Sequence, residues 1–139
     1  MDRIIIRVAP LGGDCATISE ALTLAAAHSG IPVCIALAPG TYRERIVIRQ
    51  PMITLQGSGR DKTRLVYGDY AREILQGDER RGTFRTPTLM VDADDLTARY
   101  LTVENDAGPG ALAGQALAVY ADGDRLFFDD CDLLGHQDT

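Results

Sequence analysis

A carboxyl group flanked by amide side chains is the smallest set in this sequence that could do chemistry. It is found at His136-Gln137-Asp138, with Gln115 some way upstream. A carboxyl group held among other acids has its pKa raised and can act as a general acid, and Gln N–H groups can stabilise an oxyanion. If the chain repeats as a stacked structure, equivalent positions of adjacent units lie roughly 5 Å apart, so these residues could form one row. On spacing alone the plainer alternative weighs more: Gln115, Gln137 and Asp138 are what turns and surfaces ordinarily carry. Cys131 with His136 could be drawn as nucleophile and base, but an inert, buried cysteine is the far commoner state. Gly12-Gly13-Asp14 ahead of a helix hints at an anion site, yet two glycines and an acid more often make a turn and a cap.

The elements that must position these residues are mostly short strands. Thr17-Ile18-Ser19-Glu20 fits a capping box, apolar residues follow at Ile18, Ala21, Leu22, Ala25 and Ala26, and Gly30 and Pro32 close the segment. The pattern predicts one amphipathic helix over 17–28. After it come β-rich runs broken by Gly, Pro and Asp: 33–38, 45–49, 53–56, 64–67, 89–92, 101–104, 116–120, 126–128 and 133–134. With no second long helical pattern, an alternating βαβ sheet is disfavoured.

The runs repeat in triplets. Leu89-Met90-Val91, Leu96-Thr97-Ala98 and Leu101-Thr102-Val103 align with Leu117-Ala118-Val119, Leu126-Phe127-Phe128 and Asp132-Leu133-Leu134, placing Leu89 opposite Leu117. A more divergent earlier unit runs through Ile46-Val47-Ile48, Ile53-Thr54-Leu55 and Arg64-Leu65-Val66. A period of this size is a solenoid signature, because each unit needs its neighbours to bury its apolar face. A parallel β-helix fits best; an antiparallel β-sandwich gives similar runs but has no reason to repeat in triplets. Gly68 to Pro87 interrupts the pattern with a polar, charged stretch, which reads either as a functional excursion or as a solvated loop.

Composition sets the outer bounds. The 139 residues are 45% hydrophobic and 24% charged, ordinary for a globular chain, and the net charge of −6 lacks the basic footprint of a nucleic-acid binder. Of the twenty acids fifteen are Asp, which favours turns over helix interiors. The three cysteines, Cys15, Cys34 and Cys131, form no Cys-x-x-Cys pair and have no His at ligand spacing, so neither a disulfide framework, a metal site nor any cofactor is expected. No apolar window is long enough to span a membrane, and the apolar part of Met1 to Arg7 is too short for a signal peptide. As written, the chain reads as cytoplasmic, or as secreted if an upstream leader is missing.

Several blocks, in order, resemble the pectinesterase (pectin methylesterase) family. Gly40-Thr41-Tyr42-Arg43-Glu44, Gly114-Gln115-Ala116-Leu117-Ala118 and Gly135-His136-Gln137-Asp138-Thr139 are similar to its first three signature blocks. Gly12-Gly13-Asp14, Ile53-Thr54-Leu55-Gln56-Gly57, Thr83-Phe84 and Ala121-Asp122-Gly123-Asp124-Arg125 are similar as well. The resemblance implies a right-handed parallel β-helix, here with one capping helix at its N-terminal end, that hydrolyses methyl esters of polygalacturonate. It assigns Asp138 as the general acid/base, Gln115 and Gln137 as oxyanion donors, and Thr83, Phe84, Gln115 and His136 as substrate contacts; His136 departs from the Tyr often found there. Gly40, Tyr42 and Glu44 are expected to be structural.

The family's nucleophilic aspartate belongs to an Asp-Phe-Ile-Phe-Gly block and its substrate-positioning arginine to a Leu-Gly-Arg-Pro-Trp block, and neither block occurs here. The mechanism needs one ionised carboxyl to attack and one protonated carboxyl to donate. Residues 1–139 are therefore expected to be the amino-terminal part of one such domain, incomplete at the C-terminal end, inactive alone, and prone to self-association through the open end of the stack. The alternative reading is a non-catalytic, polyuronate-binding β-helix. A calcium-dependent lyase is less favoured, since no acidic cluster asks for the ion.

Overall fold

The computed structural model describes residues 4–67, 87–105 and 118–134. Within them ten strands follow one another: β1 Ile4–Val8, β2 Val33–Leu37, β3 Gly40–Tyr42, β4 Ile46–Ile48, β5 Ile53–Gln56, β6 Thr63–Tyr67, β7 Leu89–Asp92, β8 Leu96–Asn105, β9 Val119–Asp122 and β10 Leu126–Leu134. One helix, α1 Ile18–Ala25, continues as a 3-10 turn over Ala26–His28, as the capping box and apolar spacing predict.

Every strand pairing is parallel, and the pairings define a coil. Strands β1, β2, β5 and the first half of β8 stack in order, with the first half of β10 next to β8. Strands β3, β6 and the second halves of β8 and β10 make a second face, and β4, β7 and β9 a third. β8 serves two faces because it turns at Tyr100, whose φ of 61° lies in the left-handed region; β10 turns at Asp130 in the same way, φ 55°. This is a parallel β-helix, right-handed as parallel crossovers almost always are.

Register explains the core. Ile6, Ile35, Leu55, Ala98 and Phe128 fall in one row, and Tyr42, Leu65, Val103 and Leu133 in another. Ile46, Leu89 and Val119 line the third face. Ile35, Leu55, Leu65, Ile46 and Leu89 are completely buried, each apolar side chain of this size contributing about 1.5–3 kcal/mol by leaving water. At one end α1 packs Ile18, Ala21 and Ala25 inward against the first coils and caps the stack. At the other, β10 pairs with β8 along one edge and, among the described residues, with nothing along the other.

Several details differ from the sequence reading. The repeat sets Leu89 opposite Val119, not Leu117, and the strand there is 119–122 rather than 116–120. A slip of two residues keeps every side chain on its own face, so alternation cannot detect it. The runs 101–104, 126–128 and 133–134 are parts of the two long bent strands, and β3 carries too short an apolar signal to be read as a strand at all. No helix among the described residues is long and apolar enough to cross a membrane.

Candidate functional site

Where the described strands allow it to be followed, a corner joins the second face to the third, and in sequence the candidate residues fall in the segments that follow the second-face strands. In the β3–β4 coil it is the short link 43–45; between β6 and β7 it holds residues 68–88, and between β8 and β9 residues 106–118. After β10 the chain enters 135–139. Thr83 and Phe84 fall in the second of these segments, Gln115 in the third, and His136, Gln137 and Asp138 in the fourth. All six lie outside the described residues.

The frame beneath them is described. Tyr67 pairs with Asn105 and Glu104 with Leu134, so the three segments depart from neighbouring strand ends of one sheet, about 5 Å apart per coil. The strands that follow the first two segments also pair, Leu89 with Val119. Backbone bonds seal the return points: Ile46 N–H donates to Thr88 O at 2.7 Å and Leu89 N–H to Ala118 O at 2.9 Å. Thr88 is fully buried, and its hydroxyl donates to Glu104 O at 2.8 Å. On the outside of the same strand ends, Arg64 forms an ion pair with Glu104. Alternation could not single out Thr88; the only available signal was a Thr-Pro-Thr triplet where the excursion ends.

The β3–β4 corner is built differently. Glu44 reaches back to α1, where its carboxylate accepts hydrogen bonds from Ile18 N at 2.8 Å, Ser19 N at 3.0 Å and Ser19 Oγ at 2.9 Å. A carboxylate at a helix N-terminus meets unpaired N–H groups and the positive end of the dipole. Thr17 and Glu20 complete the reciprocal capping box. The Tyr42 hydroxyl donates to Ala38 O at 2.8 Å, and burial, with Glu44 nearby, keeps its pKa above the ordinary phenol value. The structural expectation for Tyr42 and Glu44 holds. Gly57 is structural too: a Cβ there would collide with the Tyr100 carbonyl of the next coil.

The other chemical candidates fall away. Asp14 accepts from Arg7 N at 2.8 Å and Gly13 packs against the Ala9 and Arg7 backbone, so Gly12-Gly13-Asp14 is a turn. Cys15, Cys34 and Cys131 are free thiols. Burial pushes the Cys131 thiol up, with neighbouring Asp129 and Asp130 adding to the rise. That direction opposes a thiolate nucleophile. Cys15 is raised by burial and by Glu20, Asp14 and Glu44. Among the described residues no group of His, Cys, Asp and Glu could hold a metal ion.

Comparison with known proteins places this geometry. The family model for Pectinesterase matches residues 5–139. Probable pectinesterase 50 of Arabidopsis thaliana is 36% identical over 143 aligned positions, covering 99% of this chain and 37% of the relative. Pectinesterase 31 of the same plant is 32% identical, covering 97% and 44%. Among solved structures, pectin methylesterase PemA from Erwinia chrysanthemi superposes with a TM-score of 0.83 at 28% identity, over 100% of this chain and 45% of that one. A pectin methylesterase in complex with a hexasaccharide gives 0.81 at 28% identity, over 99% and 44%. The chain thus spans less than half the length of these relatives. With matching sequence over nearly all of its residues and matching coils beneath, it belongs to the pectinesterase family.

Proposed function

We propose that residues 1–139 form the amino-terminal part of a pectin-demethylating ester hydrolase and supply the acid/base and oxyanion half of its site. The observation that carries this reading is the family match over 5–139, and it is supported by the pairing of the strand ends that precede the candidate segments. In the reaction, an ionised carboxylate attacks the methyl-ester carbonyl carbon. Gln115 and Gln137 donate N–H bonds to the developing oxyanion. Asp138, protonated, gives its proton to the departing methanol oxygen, which leaves an acyl-enzyme. Asp138, now ionised, takes a proton from water as that water attacks, and the carboxylate nucleophile is released with free galacturonate. Thr83 and His136 hydrogen-bond the polymer, and Phe84 packs on a sugar face.

The blocks to which the resemblance assigns the attacking carboxylate and the positioning arginine do not occur in these residues. The 139-residue chain is thus expected to bind methyl-esterified oligogalacturonate without turning it over. A chimera joining residues 1–139 to the remaining coils of PemA tests the division of labour. It should release methanol from methylated pectin, and Asp138→Ala should lower that rate by about a thousandfold or more, the scale of losing a general acid/base. A folded, inactive chimera sinks the proposal and leaves polyuronate binding without catalysis as the reading. An active chimera indifferent to Asp138→Ala sinks the role of Asp138.

A further inference from the structure

Three arginines on the outside of the coil grip carboxylates: Arg60 holds Asp130 and Asp132, Arg64 pairs with Glu104, and Arg125 with Asp95. Arg99 holds none. It follows the core residue Ala98 in β8, so alternation turns it to the outer side of the first face. Its Nε is the one buried side-chain donor without a partner among the described residues. Asp129 stands in register with it on the next coil, yet no ion pair joins the two. A sheltered cationic donor left unpaired costs stability, a cost that an apolar side chain of similar length would not carry.

The groups around the guanidinium suit a sugar acid. Its carbon lies 5.8 Å from the centroid of the Tyr100 ring, within cation–π range, and that ring is 38% exposed at the bend of β8. Phe127, in register with Thr97 and one outward position before Asp129, is 62% exposed. Gln56 pairs with Arg99 from the preceding coil and adds a neutral amide. One sheet surface thus offers a charged fork, two solvent-facing aromatic rings and a donor for hydroxyls.

We infer that Arg99 is the centre of a binding site for unesterified galacturonate on the outer side of the first face, an inference resting on the function proposed above. The guanidinium takes the carboxylate through two parallel N–H bonds, and Tyr100 and Phe127 pack on sugar faces. A methyl ester carries no charge for the fork, so the site selects the product of demethylation over its substrate and holds the protein on stretches already demethylated. Asp129 opposes the ligand by like charge, which gives the site a signature: removing that charge strengthens binding.

The test titrates two ligands by calorimetry against the 139-residue chain, hexagalacturonate without methyl esters and a methyl-esterified galacturonate hexamer. Arg99→Met should weaken hexagalacturonate binding about tenfold, the scale of a charge-assisted hydrogen bond, with a urea midpoint equal to or above the parent's. Arg99→Lys, which keeps the charge and loses the fork, should recover only part of the affinity. Asp129→Asn should tighten binding about twofold. Affinity for the methyl-esterified hexamer should stay constant in all three variants.

A parent chain that does not bind hexagalacturonate, or that binds it equally well after Arg99→Met, overturns the inference. So does a loss of binding that comes with a lower urea midpoint or with an equal loss for the methyl-esterified hexamer, since Arg99 then serves the fold. Equal affinity for polyglutamate of the same charge makes the patch a general anion surface and overturns the sugar assignment. A parent that ignores the methyl-esterified hexamer overturns the functional reading instead, and hexagalacturonate still decides the role of Arg99.

Discussion

The same corner of the coil is used in two ways. Between β3 and β4 it is the short link 43–45, and its acid, Glu44, is consumed by the helix N-terminus. In the next two coils the corner opens into 68–88 and 106–118, and the family's candidate residues belong to those insertions and to 135–139. A solenoid can do this because each coil is held by its neighbours through β ladders on three faces, so one corner can lengthen without disturbing the stack. On the proposed reading, scaffold and chemistry are thereby separated along the axis: the first corner closes the fold, and the later segments hold the candidate residues.

The largest stability effect expected in the described residues should ignore that division. Leu55 is fully buried between Ile35 and Ala98 in the row common to all coils. Leu55→Ala should cost about 2–5 kcal/mol, read as a shift in the urea midpoint, and should weaken hexamer binding only where the fold itself is lost. If the variant instead kept its stability and lost binding, the corner and the core would not be separate.

Glu44→Ala sharpens the contrast. It removes an ionised acceptor from two backbone N–H groups and a hydroxyl at the start of α1, a change of about 1–2 kcal/mol. Urea unfolding should show that loss, while hexamer binding by the folded chain stays unchanged. Weaker binding by a fully folded Glu44→Ala chain would mean that the first corner also serves the site.

Much of this was legible in the sequence, and what was not has a physical reason. Thr17 and Glu20 announce the helix because a capping box is local chemistry. The triplets of short runs announce the coil because alternation records which face is buried. The register of β9 was missed by two residues because alternation is blind to an even slip. The long strands were read as fragments because Tyr100 and Asp130 adopt left-handed backbone inside them, which a tyrosine does not advertise and an aspartate only weakly. Thr88 and Glu44 make their decisive bonds to residues distant in sequence, and no local pattern encodes such partners. The candidate set of Thr83, Phe84, Gln115, His136, Gln137 and Asp138 came from family resemblance; spacing alone favoured plain turns.

The smallest expected effect concerns the remaining corner, where each coil passes from the third face back to the first. There Arg125 reaches the preceding coil and grips Asp95 with two nitrogens, Nη2 to Oδ2 at 3.1 Å, while Asp124 N donates to Asp94 Oδ1 at 2.9 Å. The hydrogen bond from Arg125 holds the Asp95 carboxyl below its ordinary pKa, against the opposing effect of desolvation and with a smaller contribution from the Arg125 charge. A carboxyl depressed in the folded state adds stability that is complete above its unfolded pKa and is lost as pH falls through the lower, folded value. Solvent screens this exposed pair, so its share is small. Asp95→Asn should therefore lower stability slightly at neutral pH and flatten the acid limb of a stability–pH curve, with no change above the carboxylate range in its slope. Raised salt should shrink the difference between parent and variant. Because both partners stand on the side of the coil that carries no candidate segment, hexamer binding should be identical in the two chains. A binding loss here in a fully folded chain would mean that coil-to-coil spacing in general, and not one corner, sets the site.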